Sequence, residues 1–395
     1  MISSDFSLLT NIVSILFVSN FGPPQQHPVD DCFKNASSLV QLVNCFQQFT
    51  VTQDFYNHTT YLEAQPNPAQ REAWSTAIST LLHTNNNCSS AIVPAVIQDV
   101  YSAAPFTDSD GSSFCVVYER AISAQTGLFD KGWGYIVTPA LRASVSRHIH
   151  ISAPHPIFDG NTSVEAAQLF KETRAKSLLI PGRIRTAYRD PSTCIKSTKR
   201  TTYYMTDTAH NDLEPFFDAN VAIWNWQSQH GGCSSASCAF IQMHGKSDRT
   251  CVLDDIFLSS GLGNNSWYTN EIDRPIKRLK KELLLAFNHD HSPEIPVSVS
   301  VPSDSKCLLT ATKNVVGRYL NGLPSTASHD VCTRESKVDT TEGVFIHVEQ
   351  SSRTASKAAW IKAVNNTFAV VNSLEYASST SQIPIEHIEQ CPWYP

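Results

Sequence analysis

Residues 147–180, "RHIHISAPHPIFDGNTSVEAAQLFKETRAKSLLI", decide the fold. "RHIHISAP" predicts a strand, "TSVEAAQLFKET" a helix, and "SLLI" the start of a second strand. A strand, a helix and a strand in this order are typical of a parallel βαβ unit. Between the first strand and the helix lies "HPIFDGNT" (residues 155–162), which gathers a histidine, an aspartate, a glycine and an asparagine.

The same alternation continues along the chain from about residue 113. Further strands are predicted at "FCVVYERAI", "GWGYIVTP", "CAFIQMHG", "DIFLSSG", "PVSVSVP" and "EGVFIHVEQ". Helices are predicted at "DLEPFFDANVAIWNWQSQ", "RPIKRLKKELLLAF" and "RTASKAAWIKAVNNTFAVV". This pattern predicts an α/β fold, with a mixed, largely parallel sheet flanked by helices on both faces.

The chain before this region has a helical texture instead. Apolar residues recur at three- and four-residue spacing in "SSLVQLVNCFQQF" and "NPAQREAWSTAISTLLHT", and "SSAIVPAVIQDVYSAA" (residues 89–104) is a third predicted helix. We therefore expect a signal peptide at 1–22, a small helical region at 31–112 and a catalytic domain at 113–395. Disulfides among Cys32, Cys45, Cys88 and Cys115 would hold the helical region together.

Composition limits the class of protein. The 395 residues carry a net charge of −6, which argues against a nucleic-acid partner because such proteins carry a basic stripe. Eleven cysteines are scattered along the chain without a paired C-x-x-C zinc pattern. Scattered cysteines in a long chain are typical of structural disulfides formed in an oxidising compartment.

Other features predict export from the cell. Residues 8–21, "LLTNIVSILFVSNF", are too short for a comfortable membrane span and suit a signal-peptide core. No second apolar run reaches membrane length, so we expect a secreted, extracellular monomer without a membrane span. Glycosylation sequons begin at six asparagines: Asn35, Asn57, Asn87, Asn161, Asn264 and Asn365.

Four polar clusters fall where predicted strands end, which is where open α/β sheets bind ligands. They are "HPIFDGNT", "MTDTAHND" (residues 205–212), "QMHGKSD" (residues 242–248) and Glu349. Each also has an ordinary structural explanation. Asp159 could cap a helix, and His210 could be a loop histidine paired with Asp207. His244 could bond a backbone carbonyl, and Glu349 could pair with Arg353.

Taken together, the clusters indicate metal chemistry. Two histidines and a carboxylate with an open fourth position form the ligand set of a catalytic zinc ion, here His155, Asp159 and His244. A further glutamate, Glu349, can act as general base toward water. An arginine can stabilise an oxyanion or hold a substrate carboxylate.

The order of these parts resembles the carboxypeptidase-like zinc hydrolases, which include zinc carboxypeptidases and related amidohydrolases, among them poly-γ-glutamate hydrolases. In this resemblance His155 and His244 match the zinc-binding histidines, and Glu349 matches the catalytic base. Asp159 takes the place of the zinc-binding glutamate, but the family spacing is H-x-x-E and this chain has H-x-x-x-D. The resemblance spans residues 147–371 and implies hydrolysis of an amide bond in a peptide or acyl-amino-acid substrate.

Six further residues complete the predicted site. Arg185 and His210 are expected to act in catalysis beside Glu349. The substrate is expected to contact Asn161, Arg183, Arg318 and Asn321.

Two other classes of function stay open. A metal-dependent phosphoesterase or carbohydrate esterase could use Asp159, Asn161, Asp207, His210 and His244, and a secreted binding protein could retain the fold without catalysis. The motifs G-x-S-x-G, H-E-x-x-H, G-x-x-x-x-G-K-[ST] and G-x-G-x-x-G are absent from the sequence, which counts against the corresponding serine hydrolases, helix-borne zinc proteases and nucleotide-binding enzymes.

Overall fold

A computed structural model describes residues 28–199, 201–263, 265–289, 296–323, 330–354 and 357–371. The predicted signal peptide and Cys391 lie outside these residues. One nine-stranded sheet organises the described chain. Its strands are β1 (Tyr101–Thr107), β2 (Ser113–Glu119), β3 (Tyr135–Pro139), β4 (His148–Ser152), β5 (Ser177–Ile180), β6 (Cys238–Gly245), β7 (Ile256–Ser259), β8 (Val299–Ser300) and β9 (Phe345–Gln350).

The strands lie in the order β1-β2-β3-β5-β4-β6-β9-β7-β8. The four central strands, β5, β4, β6 and β9, are mutually parallel. β1 to β3 join one side of this centre through antiparallel pairs, and β7 joins the other side antiparallel to β9. The predicted mixed α/β fold is confirmed, with its parallel part at the centre.

Helices pack on both faces of the sheet. One core contains residues of four helices, Leu39–Phe46, Thr162–Thr173, Pro275–His289 and Lys357–Thr367. A second core on the other face contains residues of three helices, Pro68–Leu82, Pro215–Gln229 and Val315–Leu320. Among the described residues, no helix has the length and apolarity needed to cross a bilayer. The helices are α1 (Asp30–Asn35), α2 (Leu39–Phe46), α3 (His58–Ala64), α4 (Pro68–Leu82), α5 (Thr162–Thr173), α6 (Pro215–Gln229), α7 (Asn265–Thr269), α8 (Pro275–His289), α9 (Val315–Leu320), α10 (Asp330–Thr333) and α11 (Lys357–Thr367).

The prediction of a third N-terminal helix over residues 89–104 is wrong. This segment contains only the end of one short 3-10 helix, Cys88–Ser90, and a second one, Ala95–Ile97, before the chain enters β1. β1 pairs with β2 along its whole length, from Tyr101 opposite Glu119 to Thr107 opposite Ser113. Pro105 fits this strand because β1 lies at the edge of the sheet, where a missing N–H donor breaks no internal ladder.

Ten of the cysteines form five disulfides, as the scattered spacing predicts. Two of them hold the N-terminal helical region, one within it and one to β2. The Cys233–Cys238 bridge closes a small loop immediately before β6. The other pairs are Cys32–Cys45, Cys88–Cys115, Cys194–Cys332 and Cys251–Cys307.

Strand alternation brings the polar residues of β6 and β9 to one face of the sheet. In the parallel pairing, Gln242 lies beside His347 and His244 lies beside Glu349. Since neighbouring residues in register point to the same side, all four side chains share the face that α6 and α9 cover. These strands end next to the loop that follows β4, and that junction forms the candidate site.

Candidate metal centre

The loop after β4 is a tight turn that brings His155 and Asp159 together. The Asp159 N–H donates to the His155 carbonyl at 3.0 Å. Two residues in this turn have left-handed backbone, Ile157 at φ 64° and Gly160 at φ 71°. Glycine adopts this conformation freely, but a β-branched residue does so at a cost, so surrounding contacts must hold the turn. The turn therefore allows both residues of the H-x-x-x-D motif to bind one metal ion.

The end of β6 approaches this turn closely because Gly245 has no side chain. A Cβ atom at this position would lie 2.5 Å from the Asp159 carbonyl oxygen. The glycine therefore permits direct backbone packing between β6 and the loop. The preceding residue, His244, projects from β6 toward His155 and Asp159.

Three ligand atoms form an equilateral triangle. His155 Nδ1, His244 Nδ1 and Asp159 Oδ2 are separated by 3.1 Å on each of the three edges. Ligands about 2.0 Å from a tetrahedral zinc ion are separated by roughly 3.3 Å, so the spacing fits one ion with a fourth position open. The donor set itself, two imidazole nitrogens and one carboxylate oxygen, is one that zinc prefers.

The outer nitrogen of each histidine has a hydrogen-bond acceptor. His155 Nε2 lies 3.0 Å from Asp207 Oδ1, and a carboxylate can only accept. His244 Nε2 lies 3.0 Å from Gln242 Oε1. Both Nε2 atoms must therefore carry the proton, which leaves the Nδ1 lone pairs to face each other inside the triangle.

The orientation of the Gln242 amide is fixed from outside the site. Asn314 caps α9 by accepting the Gly317 N–H at its Oδ1, at 2.9 Å. Its Nδ2 group must then donate to Gln242 Oε1, at 2.5 Å. Gln242 Oε1 is thus an acceptor from two sides, and His244 must present its Nδ1 lone pair to the metal position.

The charges around the triangle favour a cation inside it. Burial and Arg185 act to lower the pKa of His155, but Asp159 and Asp207 outweigh them and the pKa is raised. Burial opposes ionisation of Asp159, yet the two histidines hold its pKa below the usual range. Burial lowers the pKa of His244 to about 4. The centre therefore accommodates one positive charge, for which a proton and a metal ion compete.

Asp207 connects the triangle to two further predicted residues. Its Oδ1 also accepts from His210 Nδ1 at 2.9 Å, and its Oδ2 pairs with the Arg185 guanidinium. The Arg185 guanidinium also lies 5.4 Å from the centre of the half-exposed Phe158 ring. The hydroxyl of Thr208 donates to the Pro154 carbonyl at 2.7 Å, which ties "DTAHN" to the loop after β4. Arg185 and His210 are thus connected to the metal ligand His155 through Asp207.

Glu349 lies beside the triangle on the same face. It is next to His244 in the sheet, and ligand atoms of His244, His347 and Glu349 lie within 4.8 Å of one another. Burial raises the pKa of Glu349 to about 8, and the nearby Asp159 carboxylate acts in the same direction. A bound divalent cation would oppose both effects and favour the carboxylate form.

Arg183 occupies a different environment from the one predicted. It has no exposed surface, and its Nε and Nη2 donate to the two Glu214 carboxylate oxygens at 2.7 and 2.8 Å. The Tyr61 hydroxyl also donates to Glu214, and Arg183 Nη1 donates to the Lys131 carbonyl. This placement corrects the predicted substrate-binding role of Arg183, because the guanidinium has no exposed donor left for a ligand.

Arg318 and Asn321 also have structural partners. Arg318 donates to the backbone carbonyls of Thr312, Val331 and Cys332, which join α9 to α10. Asn321 is fully buried and donates to the Ser260 carbonyl at 2.8 Å. Their predicted contact with substrate is therefore corrected to a role in holding the chain around α9.

Asn161 is exposed and its side chain makes no capping hydrogen bond to α5. Among the described residues, neither Asn161 nor the three corrected residues forms a hydrogen bond or an ion pair with the triangle. A contact between Asn161 and substrate stays a prediction.

Two neighbours of the triangle, Gln242 and His347, were not predicted as site residues, and Asp207 was predicted only for the phosphoesterase or carbohydrate-esterase alternative. For the first two a signal exists in the sequence. Gln242 and His347 each stand two positions before a predicted site residue in a strand, so period-two alternation places them on the same face as His244 and Glu349. The pairing of Asp207 with His155 spans 52 positions and has no local signal.

Comparisons with known proteins give only remote similarity. No protein-family model matches the chain, and no curated protein matches it significantly. A solved structure of a candidate carboxypeptidase A from Shewanella denitrificans OS-217 is 12% identical, with a TM-score of 0.28, over 69% of this chain and 65% of its own. A candidate metallopeptidase from Shewanella amazonensis SB2B is 8% identical, with a TM-score of 0.27, over 68% and 85% of the two chains. This chain thus spans just under two thirds of the first structure.

Proposed function

We propose that this protein is a secreted zinc-dependent hydrolase that cleaves an amide bond in a peptide or acyl-amino-acid substrate. One observation carries the proposal. His155, Asp159 and His244 present three ligand atoms 3.1 Å apart, and acceptors on both outer imidazole nitrogens leave the inner lone pairs free for a metal. One positive charge among these three atoms would satisfy all of them, and the proposal assigns that charge to a metal ion.

The reaction follows from the groups around this centre. A zinc ion held there would polarise the scissile carbonyl and acidify a bound water. Glu349 would accept the proton of the attacking water and pass it to the leaving amine. Arg185 has its guanidinium fixed by Asp207, which bonds the ligand His155, so it could stabilise negative charge on the carbonyl oxygen or hold a substrate carboxylate.

Export is supported by the chemistry of the chain. Five disulfides form within the described residues, which is typical of proteins matured in an oxidising compartment. The sequon asparagines at positions 35, 57, 87 and 161 are all exposed, as glycan attachment requires.

Metal content provides the test. Purified protein should hold about one zinc per chain, lose it with its activity on treatment with a chelator, and recover both with one equivalent of zinc. A panel of N-acyl amino acids and N-acyl dipeptides would serve as substrates. Metal-free protein that keeps full turnover would eliminate the mechanism. A zinc-loaded protein that cleaves none of the panel would favour the phosphoesterase or esterase alternatives, for which phosphate and acetyl esters are the next substrates.

A further inference from the structure

A second row of polar side chains lies directly beneath the metal centre. Gln242 on β6 is in register with His347 on β9, which is in register with Ser259 on β7. Residues in register across neighbouring strands point to the same side, so the three side chains share one face. Gln242 and His347 stand two residues before His244 and Glu349 in their strands, and the row contacts the metal centre directly, since Gln242 Oε1 lies 3.0 Å from His244 Nε2. We call these three residues the floor row.

Each member of the floor row has a buried polar atom without a hydrogen-bond partner in the described part of the chain. These atoms are Gln242 Nε2, His347 Nδ1 and Ser259 Oγ. The three residues are 1%, 5% and 0% exposed. More than nine tenths of buried polar groups are satisfied in native proteins, so three orphans side by side in one row point to a partner that the chain itself does not supply.

The orphan atoms define the chemistry of that partner. Gln242 Oε1 is already occupied by Asn314 and His244, so Nε2 is a free donor. Ser259 can donate or accept. His347 Nδ1 can donate or accept, depending on its tautomer. The floor row thus offers a carboxamide, a hydroxyl and an imidazole nitrogen as hydrogen-bonding groups, and it contains no carboxylate or guanidinium that would pair with an ionic ligand group.

We propose that the floor row is the specificity surface of the site and selects substrates with an uncharged polar side chain, a hydroxyl or a carboxamide, next to the cleaved bond. The inference rests on the proposed function, since it places the cleaved bond at the metal centre. A site built to hydrogen-bond a polar group discriminates strongly against an apolar analogue, because that analogue leaves the buried groups unpaired. An apolar pocket discriminates much less between such analogues.

Two thiol probes test this without requiring turnover. N-(mercaptoacetyl)-L-threonine and N-(mercaptoacetyl)-L-valine share a zinc-binding thiol and differ only in hydroxyl against methyl. Calorimetric titration of zinc-loaded protein should show the threonine probe binding at least about tenfold more tightly. In the Ser259→Ala variant this ratio should fall below about threefold with zinc content unchanged, because one of the three floor-row groups is lost.

The Thr138→Val variant is the matched control. Thr138 on β3 is a fully buried residue whose hydroxyl also has no partner among the described residues, but it lies on the opposite side of the central strands. It should keep the wild-type ratio. If zinc-loaded wild-type protein binds both probes equally, the floor row does not select the substrate side chain and this inference is wrong. The proposed metal centre would be unaffected by that result. If the protein holds no zinc, both proposals fall.

Discussion

The molecule buries two clusters of charge, and they differ in how completely their groups are paired. Arg183 and Glu214 form a bidentate ion pair in which both carboxylate oxygens have donors within 2.8 Å. The side chains of His155, Asp159 and His244 are also almost fully buried, yet their three ligand atoms face one another 3.1 Å apart. The first cluster is complete without a ligand. The second needs a cation, and we infer that this difference separates structural charge from functional charge.

Replacing the proposed general base, Glu349, is expected to have the largest effect. Glu349→Gln should lower kcat by about 10³-fold or more, because the amide cannot accept a proton from water. Zinc content and the thermal unfolding midpoint should stay near those of the wild type. Steady-state kinetics on the best panel substrate would measure the loss.

Glu342→Gln is the control for that experiment, because Glu342 is an exposed carboxylate just before β9. It should keep wild-type kcat. A Glu349→Gln protein that turns over normally but unfolds more easily would make Glu349 a structural carboxylate.

Breaking the complete cluster should affect stability and spare the metal. Arg183→Met leaves Glu214 buried without its partner, so we expect a loss of about 3–5 kcal/mol in the free energy of unfolding. Urea unfolding would measure the loss, and zinc affinity should be unchanged. Arg189→Met removes an exposed ion pair with Asp54 and should cause no measurable loss. If the Arg183→Met protein is as stable as the wild type but has a raised KM, the predicted role of Arg183 in substrate binding would be supported.

The hydrogen bonds outside the triangle should have a smaller effect on the metal. Asp207→Asn weakens the acceptor that holds the proton on His155 Nε2, so zinc affinity should fall about 10–100-fold. Competition with a chromogenic chelator would measure the affinity. Asp99→Asn, at an exposed position, should leave it unchanged. Equal zinc affinity in the two variants would mean that Asp207 does not orient His155.

A buried lysine gives the smallest predicted effect. Lys176 donates to the Leu82 carbonyl at 2.8 Å, and burial, together with Arg142, lowers its pKa to about 7. The unfolded chain binds this proton up to about pH 10.4, so between these values the unfolded state binds more protons and stability rises with pH. From pH 7 to 9 the contribution of Lys176 should be about 1 kcal/mol per pH unit.

The Lys176→Met variant isolates that contribution. Its free energy of unfolding, measured in urea at pH 7, 8 and 9, should rise less steeply than that of the wild type by this amount. Lys337→Met, at an exposed position, should follow the wild-type slope. Identical slopes in wild type and Lys176→Met would show that Lys176 titrates normally.

The parts of the fold and site that depend on local pattern could be predicted from the sequence. The strand, turn and helix of residues 147–180 and the strand-end positions of His244 and Glu349 follow from alternation and turn residues. The start of β1 was predicted as part of a helix, because its apolar pattern also suits a helix. Its pairing with β2, a long-range interaction, makes it a strand instead.

Long-range pairing accounts for the remaining differences at the site. Arg183 and Arg185 stand two residues apart in the same loop, and no local feature shows that Glu214 pairs with the first while Asp207 pairs with the second. The sequence therefore indicates both arginines of this loop as candidates, and the three-dimensional arrangement places one in the core and one beside the triangle.

Diffraction from zinc-soaked crystals, with data collected on both sides of the zinc absorption edge, would test the metal centre directly. One anomalous peak should lie about 2.0–2.2 Å from His155 Nδ1, Asp159 Oδ2 and His244 Nδ1. No peak at zinc saturation, or a peak held by His347 and Glu349 without His155, would contradict the proposed metal centre.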